Sequence, residues 1–367
     1  MTTMATAAVL RAAARGFEIE QVRLGALRPD EVLVRIVGVG VCHTDLAARD
    51  AGFLDRVGPV ILGHEGAGVV EVVGPGVSGI EVGDHVVLSF ESCGRCRPCR
   101  AGQPAYCADF MLRNASGRRA DFSAGAEDAQ GGSVAARWFG QSSFATHAIA
   151  TERNAVVVDR SLPLELLGPL GCGLQTGAGS VLNVMRLGPG QSIAVFGAGG
   201  VGLAAVMAAR AAGAGEIVAV DLHDSRLQIS EQLGATRTVR GDTADLAAAV
   251  TGGGQGLDFV LDTTGDSAVM AAAVAALGPG GQAVFVGAGL GILEVAPMSL
   301  AGKTVTYALE GSAVPHLFIP SLIELWQAGR FPFETFVRTY PLEKIAAAEA
   351  DSLAGITIKP VLLPSLH

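Results

Sequence analysis

The chain is short of cysteine, of basic charge and of unbroken apolar runs, and each shortage narrows what it can be. Six cysteines occur in 367 residues. They could pair as three disulfides, but a chain this long needs no staples. The opening Met1-Thr-Thr-Met-Ala-Thr-Ala-Ala-Val-Leu-Arg11 has no basic leading segment, and Arg11 cuts its short apolar run. No export signal is read there, so a cytoplasmic location is expected, with reduced thiols available for metal or catalysis. Lys and Arg number 26 against 35 Asp and Glu, giving a net charge of −9 with no basic stripe. That argues against nucleic acid and anionic membranes as partners. Between Leu187 and Ala209 no residue is charged, a stretch long enough to suggest a membrane span. Gly188, Pro189, Gly190, Gly197, Gly199, Gly200 and Gly202 interrupt it, so it reads as strand, turn and helix in a soluble protein. Low-complexity tails and internal repeats are also missing.

What is present is length and glycine. A chain of this size exceeds one core and suggests two domains. Its 50 glycines are about twice average usage.

The six cysteines divide by spacing. Cys93, Cys96, Cys99 and Cys107 form C-x2-C-x2-C-x7-C in one short loop. Four local thiolates suit a closed tetrahedral zinc site. The rival is an iron–sulfur cluster, whose bacterial run continues with x3-C-P. Here seven residues intervene and Ala108 follows, which favours zinc. Cys42 and Cys172 lie far apart in Gly40-Val-Cys42-His43-Thr44-Asp45 and Gly171-Cys172-Gly173, with Gly63-His64-Glu65-Gly66 between them. Two thiolates and an imidazole suit a zinc whose fourth position is open for chemistry. No spacing rule applies to that trio, and His64 taken alone reads more readily as a satisfied loop histidine than as a ligand.

Gln191-Ser-Ile-Ala-Val-Phe196 reads as a buried parallel strand running into Gly197-Ala-Gly199-Gly200-Val201-Gly202. An alanine-rich helix is expected from Leu203 to Ala212. A second strand, Glu216 to Val220, ends at Asp221, which lies 19 residues past Gly202. In this dinucleotide fingerprint the first glycine turns the chain. The second admits a pyrophosphate and the third lets the helix pack on the strand. The helix N-terminus donates N–H groups to the phosphates. Asp221 would accept from the ribose hydroxyls and repel a 2′-phosphate, selecting NAD over NADP. Leu257–Asp262, Gln282–Val286 and Lys303–Leu309 read as further strands, and Ser267 to Leu277 as a helix stopped by Gly278-Pro279-Gly280-Gly281. The expectation is a doubly wound parallel Rossmann sheet of six strands over residues 174–309, five of them placed here.

Residues 30–90 differ. Glu31–Val37, Gly68–Val73 and Asp84–Leu88 alternate and are broken by Gly and Pro, which suggests a mostly β, barrel-like catalytic domain over residues 1–173. After residue 310 come an amphipathic helix, Ile319 to Gln327, and a strand, Ile356 to Leu362. That strand has no place in a six-strand sheet, so residues 310–367 are expected to return to the first domain.

The chain resembles the zinc-containing medium-chain alcohol dehydrogenases over essentially its whole length, and more closely their aryl- or benzyl-alcohol branch. The likeness lies in Val41-Cys-His-Thr-Asp45, Leu62-Gly-His-Glu-Gly66, Pro104-Ala-Tyr-Cys107, Gln141-Ser-Ser-Phe-Ala-Thr146, Gly168-Pro-Leu-Gly-Cys-Gly173 with Gln175-Thr-Gly177, and Gly355-Ile-Thr-Ile-Lys-Pro360. The resemblance implies two zinc ions per subunit, with Cys42, His64 and Cys172 holding the catalytic one. It implies that Asp45 orients His64, that Glu65 is the acid able to approach the metal, and that Thr44 bonds the substrate alcohol. His43 corresponds to a pyrophosphate contact, Arg226 and Lys359 to basic residues near the adenosine ribose and phosphates, and Thr176 to a residue packed by the nicotinamide. Trp138 and Phe139 match positions lining the substrate channel, although core packing explains them too; Phe90 is a further pocket candidate. Ala47 departs from the pattern, because many relatives carry a relay histidine there. His85, His147 and His223 lie outside every motif and read as ordinary polar positions. The implied activity is reversible, NAD-linked oxidation of a primary aryl or allylic alcohol by a homo-oligomer, dimer or tetramer. Alternatives are aliphatic, polyol or thiol-adduct formaldehyde dehydrogenases of the same fold, or a non-catalytic zinc- and nucleotide-binding relative.

Overall fold

The structure, a computed structural model, describes residues 2–12, 15–50, 57–289 and 291–364. The chain divides into two compact units. The first comprises Met1–Cys172, Val314–Pro320 and Glu334–His367, and the second Gly173–Ala313 and Ser321–Phe333. The tail after residue 310 is therefore shared: Ser321–Phe333, which includes much of the expected helix, belongs to the second unit. That helix runs Pro315–Gln327 and carries Pro320 inside it.

In the first unit Thr3–Leu10, Phe17–Leu24, Gly125–Asp128, Ser133–Ala135 and Val60–Ile61 close a small barrel. Beside it lies a seven-stranded sheet centred on Glu31–Gly40, whose side chains are buried along almost its full length. The alternation read from sequence would leave one face to solvent, but the strand is covered on both faces. It pairs antiparallel with Glu65–Val73, with His147–Thr151 and with Lys359–Leu363. The last pairing, Val361 opposite Gly40 and Leu362 opposite Val39, is how the C-terminal strand returns to the first unit. It sets Lys359 beside the end of the central strand, where Cys42 follows.

The second unit holds six parallel strands in the order Arg237–Arg240, Glu216–Asp221, Ser192–Phe196, Leu257–Asp262, Leu277–Phe285, Thr304–Tyr307. The order reverses at Ser192–Phe196, and such switch points open a crevice beyond the strand ends. Phe196, Val218, Val220, Val260 and Phe285 fill the core on the sheet. Two details differ from the sequence reading. Arg237-Thr-Val-Arg240 is a strand that sequence patterning did not mark, because it is short, half-buried and flanked by charge at an edge. Gly278-Pro279-Gly280-Gly281 ends the helix Ser267–Ala275 but then lies inside the next strand, where pairing jumps from Leu257–Leu277 to Phe259–Gln282. Gly280 takes φ +80°, so the glycines make an irregular strand as well as a stop. Among the described residues no helix is long and apolar enough to cross a membrane. The uncharged stretch resolves into the strand Ser192–Phe196 and most of the helix Gly200–Ala212.

Candidate active site

Cys42 lies at the exit of the central strand, immediately before the helix His43–Asp50. His64 precedes the strand Glu65–Val73, and Cys172 follows the 3-10 turn Gly168–Gly171. The tertiary fold gathers them: one ligand atom from each of Cys42, His64, Glu65 and Cys172 lies within 4.8 Å of all the others. None of the six cysteines is in a disulfide, which removes the disulfide reading.

The histidine is fixed from one side. Three N–H groups converge on Asp45 Oδ1: His64 Nδ1 at 2.9 Å, Gly63 N at 3.0 Å and the Trp138 indole Nε1 at 2.9 Å. Asp45 and His64 are 0% and 1% exposed. With Nδ1 committed to the carboxylate, Nε2 is left buried without a hydrogen-bond partner. A buried polar atom of that kind is expensive unless something binds it. Burial, which disfavours an imidazolium, is outweighed by the charges of Asp45 and Cys42, and His64 is held well above the usual histidine range. Nε2 therefore favours a cation. Against its burial, the hydrogen bond from Cys172 and the charges of His64 and Lys359 hold the Cys42 thiol well below the ordinary thiol range. Two thiols and an imidazole so poised fit a zinc ion in both donor chemistry and burial.

Glu65 and Lys359 form a second buried pair here. Lys359 Nζ donates to Glu65 Oε1 and Oε2 at 3.0 and 2.9 Å and reaches Val41 O at 3.5 Å. Burial pushes the Glu65 carboxyl up to about 7, in spite of Lys359. For Lys359, burial is outweighed by Glu65 and Cys42, and the ammonium is held above its usual value. Gly40 is required at this point, because a Cβ there would stand 2.0 Å from Glu65 Oε2. The structure thus gives Lys359 an acidic partner beside the ligand cluster, where the resemblance had set it near nucleotide phosphates.

The four-cysteine loop is also assembled. The sulfurs of Cys93, Cys96, Cys99 and Cys107 lie within 4.8 Å of one another, with Cys93–Cys99 and Cys96–Cys107 both at 4.0 Å. Tetrahedral Zn–S bonds of about 2.3 Å require sulfur separations of roughly 3.8 Å. Backbone N–H groups of Cys96, Ala108 and Asp109 point at the sulfurs of Cys93, Cys96 and Cys107, at 3.3, 3.4 and 3.4 Å. They favour thiolate charge and suit a metal there.

In the second unit Gly197 takes φ +92°, and the helix Gly200–Ala212 starts beyond an extended Gly199. A Cβ on Gly202 would lie 1.8 Å from Gly197 O, whereas one on Gly199 would meet nothing within 4 Å. The third glycine is thus needed for packing and the second faces open space, which suits a pyrophosphate. Val201 and Gly200 supply first-turn N–H groups. Asp221 Oδ2 accepts from Ala198 N at 2.8 Å and Oδ1 from His223 N at 2.9 Å, with Arg226 Nη1 3.7 Å away. Each carboxylate oxygen keeps acceptor capacity for a ribose hydroxyl. Thr176 is half-buried in the helix Gly173–Gly179, next to Gly177, whose Cβ would sit 1.9 Å from Val201 O.

Residues 28–160 match the alcohol dehydrogenase GroES-like domain family and residues 200–327 the zinc-binding dehydrogenase family. The geraniol dehydrogenase of Castellaniella defragrans is 44% identical, over 98% of this chain and 97% of its own. The chain belongs to the zinc-containing medium-chain alcohol dehydrogenases. Among solved structures, an alcohol dehydrogenase zinc-binding domain protein from Burkholderia ambifaria is 49% identical with a TM-score of 0.96, covering 99% of this chain and 100% of that one. Benzyl alcohol dehydrogenase from Acinetobacter calcoaceticus is 41% identical with a TM-score of 0.94, at the same coverage. This alcohol dehydrogenase is therefore an oxidoreductase with a GroES-like catalytic unit and a Rossmann-like sheet.

The aromatics expected along its substrate channel are buried. Trp138, Phe139 and Phe90 are 4%, 8% and 2% exposed. Phe139 stacks on the His64 ring at 4.4 Å and 26°, and Phe110 bridges towards Phe90. Thr44 Oγ1 lies 3.8 Å from Cys42 Sγ, His43 is exposed, and Ala47 sits on the same helix. Sequence reasoning did not single out Gln141 by role. Its amide accepts from Gly66 N at 3.0 Å and donates to His64 O at 2.9 Å, pinning the His64–Glu65 backbone. Its only signal was membership of the Gln141-Ser-Ser-Phe-Ala-Thr146 stretch.

Proposed function

We propose that the enzyme oxidises conjugated primary alcohols, benzylic or allylic, reversibly to aldehydes with NAD. Cys42, His64 and Cys172 hold a catalytic zinc, and Cys93, Cys96, Cys99 and Cys107 a structural one. The observation that carries this is His64: Nδ1 is locked to Asp45, while the buried, partnerless Nε2 shares one small cluster with two thiols. A zinc ion there supplies Lewis acidity that eases loss of the alcohol's hydroxyl proton near neutral pH, and NAD supplies the two-electron acceptor. The chain's own residues do the rest. Thr44 Oγ1, 3.8 Å from Cys42 Sγ, accepts the hydroxyl proton. Ala47 bears no group to pass it on, so the proton leaves through the nicotinamide ribose hydroxyls or the exposed His43 imidazole. Glu65, held by Lys359, stands ready to exchange at the ligand cluster. Gly199, Gly200 and Val201 cradle the pyrophosphate, and Asp221 excludes a 2′-phosphate by like charge. In balance, the carbinol carbon loses a hydride and its hydroxyl a proton, leaving the aldehyde.

Substrate class is supported by two relatives, one named for geraniol, an allylic alcohol, and one for benzyl alcohol. A conjugated carbinol also yields hydride more readily, because conjugation stabilises the developing carbonyl. Homo-oligomerisation and a cytoplasmic location accompany the proposal. The test is NADH formation across benzylic, terpenoid, aliphatic and polyol alcohols. Benzyl alcohol or geraniol should exceed ethanol in kcat/KM by more than about tenfold, and NAD should be preferred to NADP. Preference for ethanol, a polyol or a thiol adduct of formaldehyde would overturn the substrate class. Equal efficiency with NADP would overturn the cofactor assignment.

A further inference from the structure

We propose that Trp138 and Phe139 act as a clamp on the metal-facing histidine, so that this pair governs how firmly the catalytic ion is held rather than which alcohol enters. The proposal rests on the reading of Cys42, His64 and Cys172 as ligands of one ion. Trp138 turns its single polar atom inward, donating from Nε1 to the same Asp45 oxygen that orients His64, at 2.9 Å. Phe139 lays its ring flat over the imidazole at 4.4 Å. One residue thus fixes the carboxylate, and its neighbour fixes the ring that the carboxylate steers. Buried indole N–H groups take partners of this kind, and groups behind a metal ligand set its orientation and basicity.

The turn that presents the pair is strained and over-determined. Phe139 has φ 49° and Ser142 φ 55°, a left-handed region that side chains avoid. The turn is held from several directions. Trp138 N donates to Ser142 Oγ at 2.8 Å, and that hydroxyl donates to Ile61 O at 2.6 Å. Asn154 Nδ2 reaches Phe139 O at 3.4 Å and Gly140 O at 3.3 Å. Arg137, just before the turn, is buried against Ile149 O and Glu91. Such strain persists where surrounding structure imposes it, and here it aims two adjacent aromatics at one histidine and its carboxylate.

The test uses the zinc-loaded full chain. Trp138→Phe keeps a ring and removes the N–H donor. The metal equivalent released to a chelator should leave about tenfold faster or more, and kcat should fall while KM for benzyl alcohol is essentially unchanged. Phe139→Leu keeps the donor and removes the stacked ring, and should shift metal release in the same direction by less. It decides the matter alone if Trp138→Phe does not fold. A raised KM for benzyl alcohol with parental metal release would make the pair a pocket wall and overturn the proposal. Parental values throughout would overturn it too. Cys172→Ser is measured in parallel: retention of all zinc by that variant would sink the ligand assignment itself.

Discussion

Cys93, Cys96, Cys99 and Cys107 come from a single loop and meet sulfurs and backbone N–H groups of that same loop, whereas Cys42, His64 and Cys172 come from three distant segments of the sequence and meet Asp45, Glu65 and Lys359. In the first cluster Cys96 and Cys99 remain partly exposed. In the second only Cys42 is partly exposed, while His64, Glu65 and Cys172 are buried. A locally built site can assemble as its loop folds and supports that loop in return. A site gathered by tertiary structure depends on the fold already being in place, and its donors are tuned by charges that only the fold brings near. The contrast separates a site suited to stability from one suited to chemistry.

The sharpest way to break that contrast is to remove one ligand from each cluster. Cys99→Ser should abolish metal at the loop and lower thermal stability strongly, since structural zinc can contribute on the order of 10 kcal/mol to folding. Cys172→Ser should leave a folded, NAD-binding protein lacking one zinc, with kcat reduced on the order of 10³-fold, as loss of several kcal/mol of transition-state stabilisation requires. Metal analysis, thermal denaturation and turnover on the two variants check this together. Iron with labile sulfide in the pure protein, or equal thermal losses in both variants, would erase the distinction.

The same contrast explains what was legible from sequence. The four-cysteine loop and the Gly197–Gly202 turn declare themselves because their chemistry is local: spacing alone sets the ligands or the glycine roles. The catalytic trio was legible only through resemblance, since nothing in the sequence joins Cys42 to Cys172. The bond from Trp138 to Asp45 was not legible, because the two stand 93 positions apart. The pairing of Lys359 with Glu65 was equally hidden, because 294 positions separate them. Long-range polar partners leave no periodicity to detect, and a four-residue strand such as Arg237–Arg240 carries too little pattern to register.

A second, smaller effect should come from the Glu65–Lys359 pair, which exists only in the gathered site. Lys359→Met takes the ammonium away from the buried Glu65 carboxylate, and breaking a buried ion pair destabilises by about 3–5 kcal/mol. Glu65→Gln combined with Lys359→Met should recover much of that loss, since no unpaired charge remains. Urea denaturation of the single and double variants measures the difference. Equal destabilisation by both would mean that the pair is not coupled, and the four-cysteine loop should keep its metal in each.

The smallest expected effect concerns a charged network that runs beneath both clusters and so limits how far they are independent. Glu31 receives Arg119 at 2.7 and 2.8 Å and lies 3.8 Å from Arg137; Arg137 in turn reaches Glu91, which also holds Arg113 at 2.6 Å. Glu91 stands two residues before Cys93, and Arg137 directly precedes Trp138. Burial would raise the Glu31 carboxyl, but hydrogen bonding from Arg119 and the charge of Arg137 outweigh it and hold the group below its ordinary 4.5. A carboxyl depressed on folding adds stability that is complete above its unfolded value and is lost as pH falls through the folded one. Thermal stability of the parent should therefore decline with acid below about pH 4.5, and Glu31→Gln, already destabilised at pH 7, should decline less steeply there. Parallel slopes for the two proteins would remove Glu31 from the acid response. If chelator-accessible zinc from both clusters rises together in Glu31→Gln at neutral pH, the network couples the sites; if only one responds, the loop and the gathered site stand apart below the surface as they do in sequence.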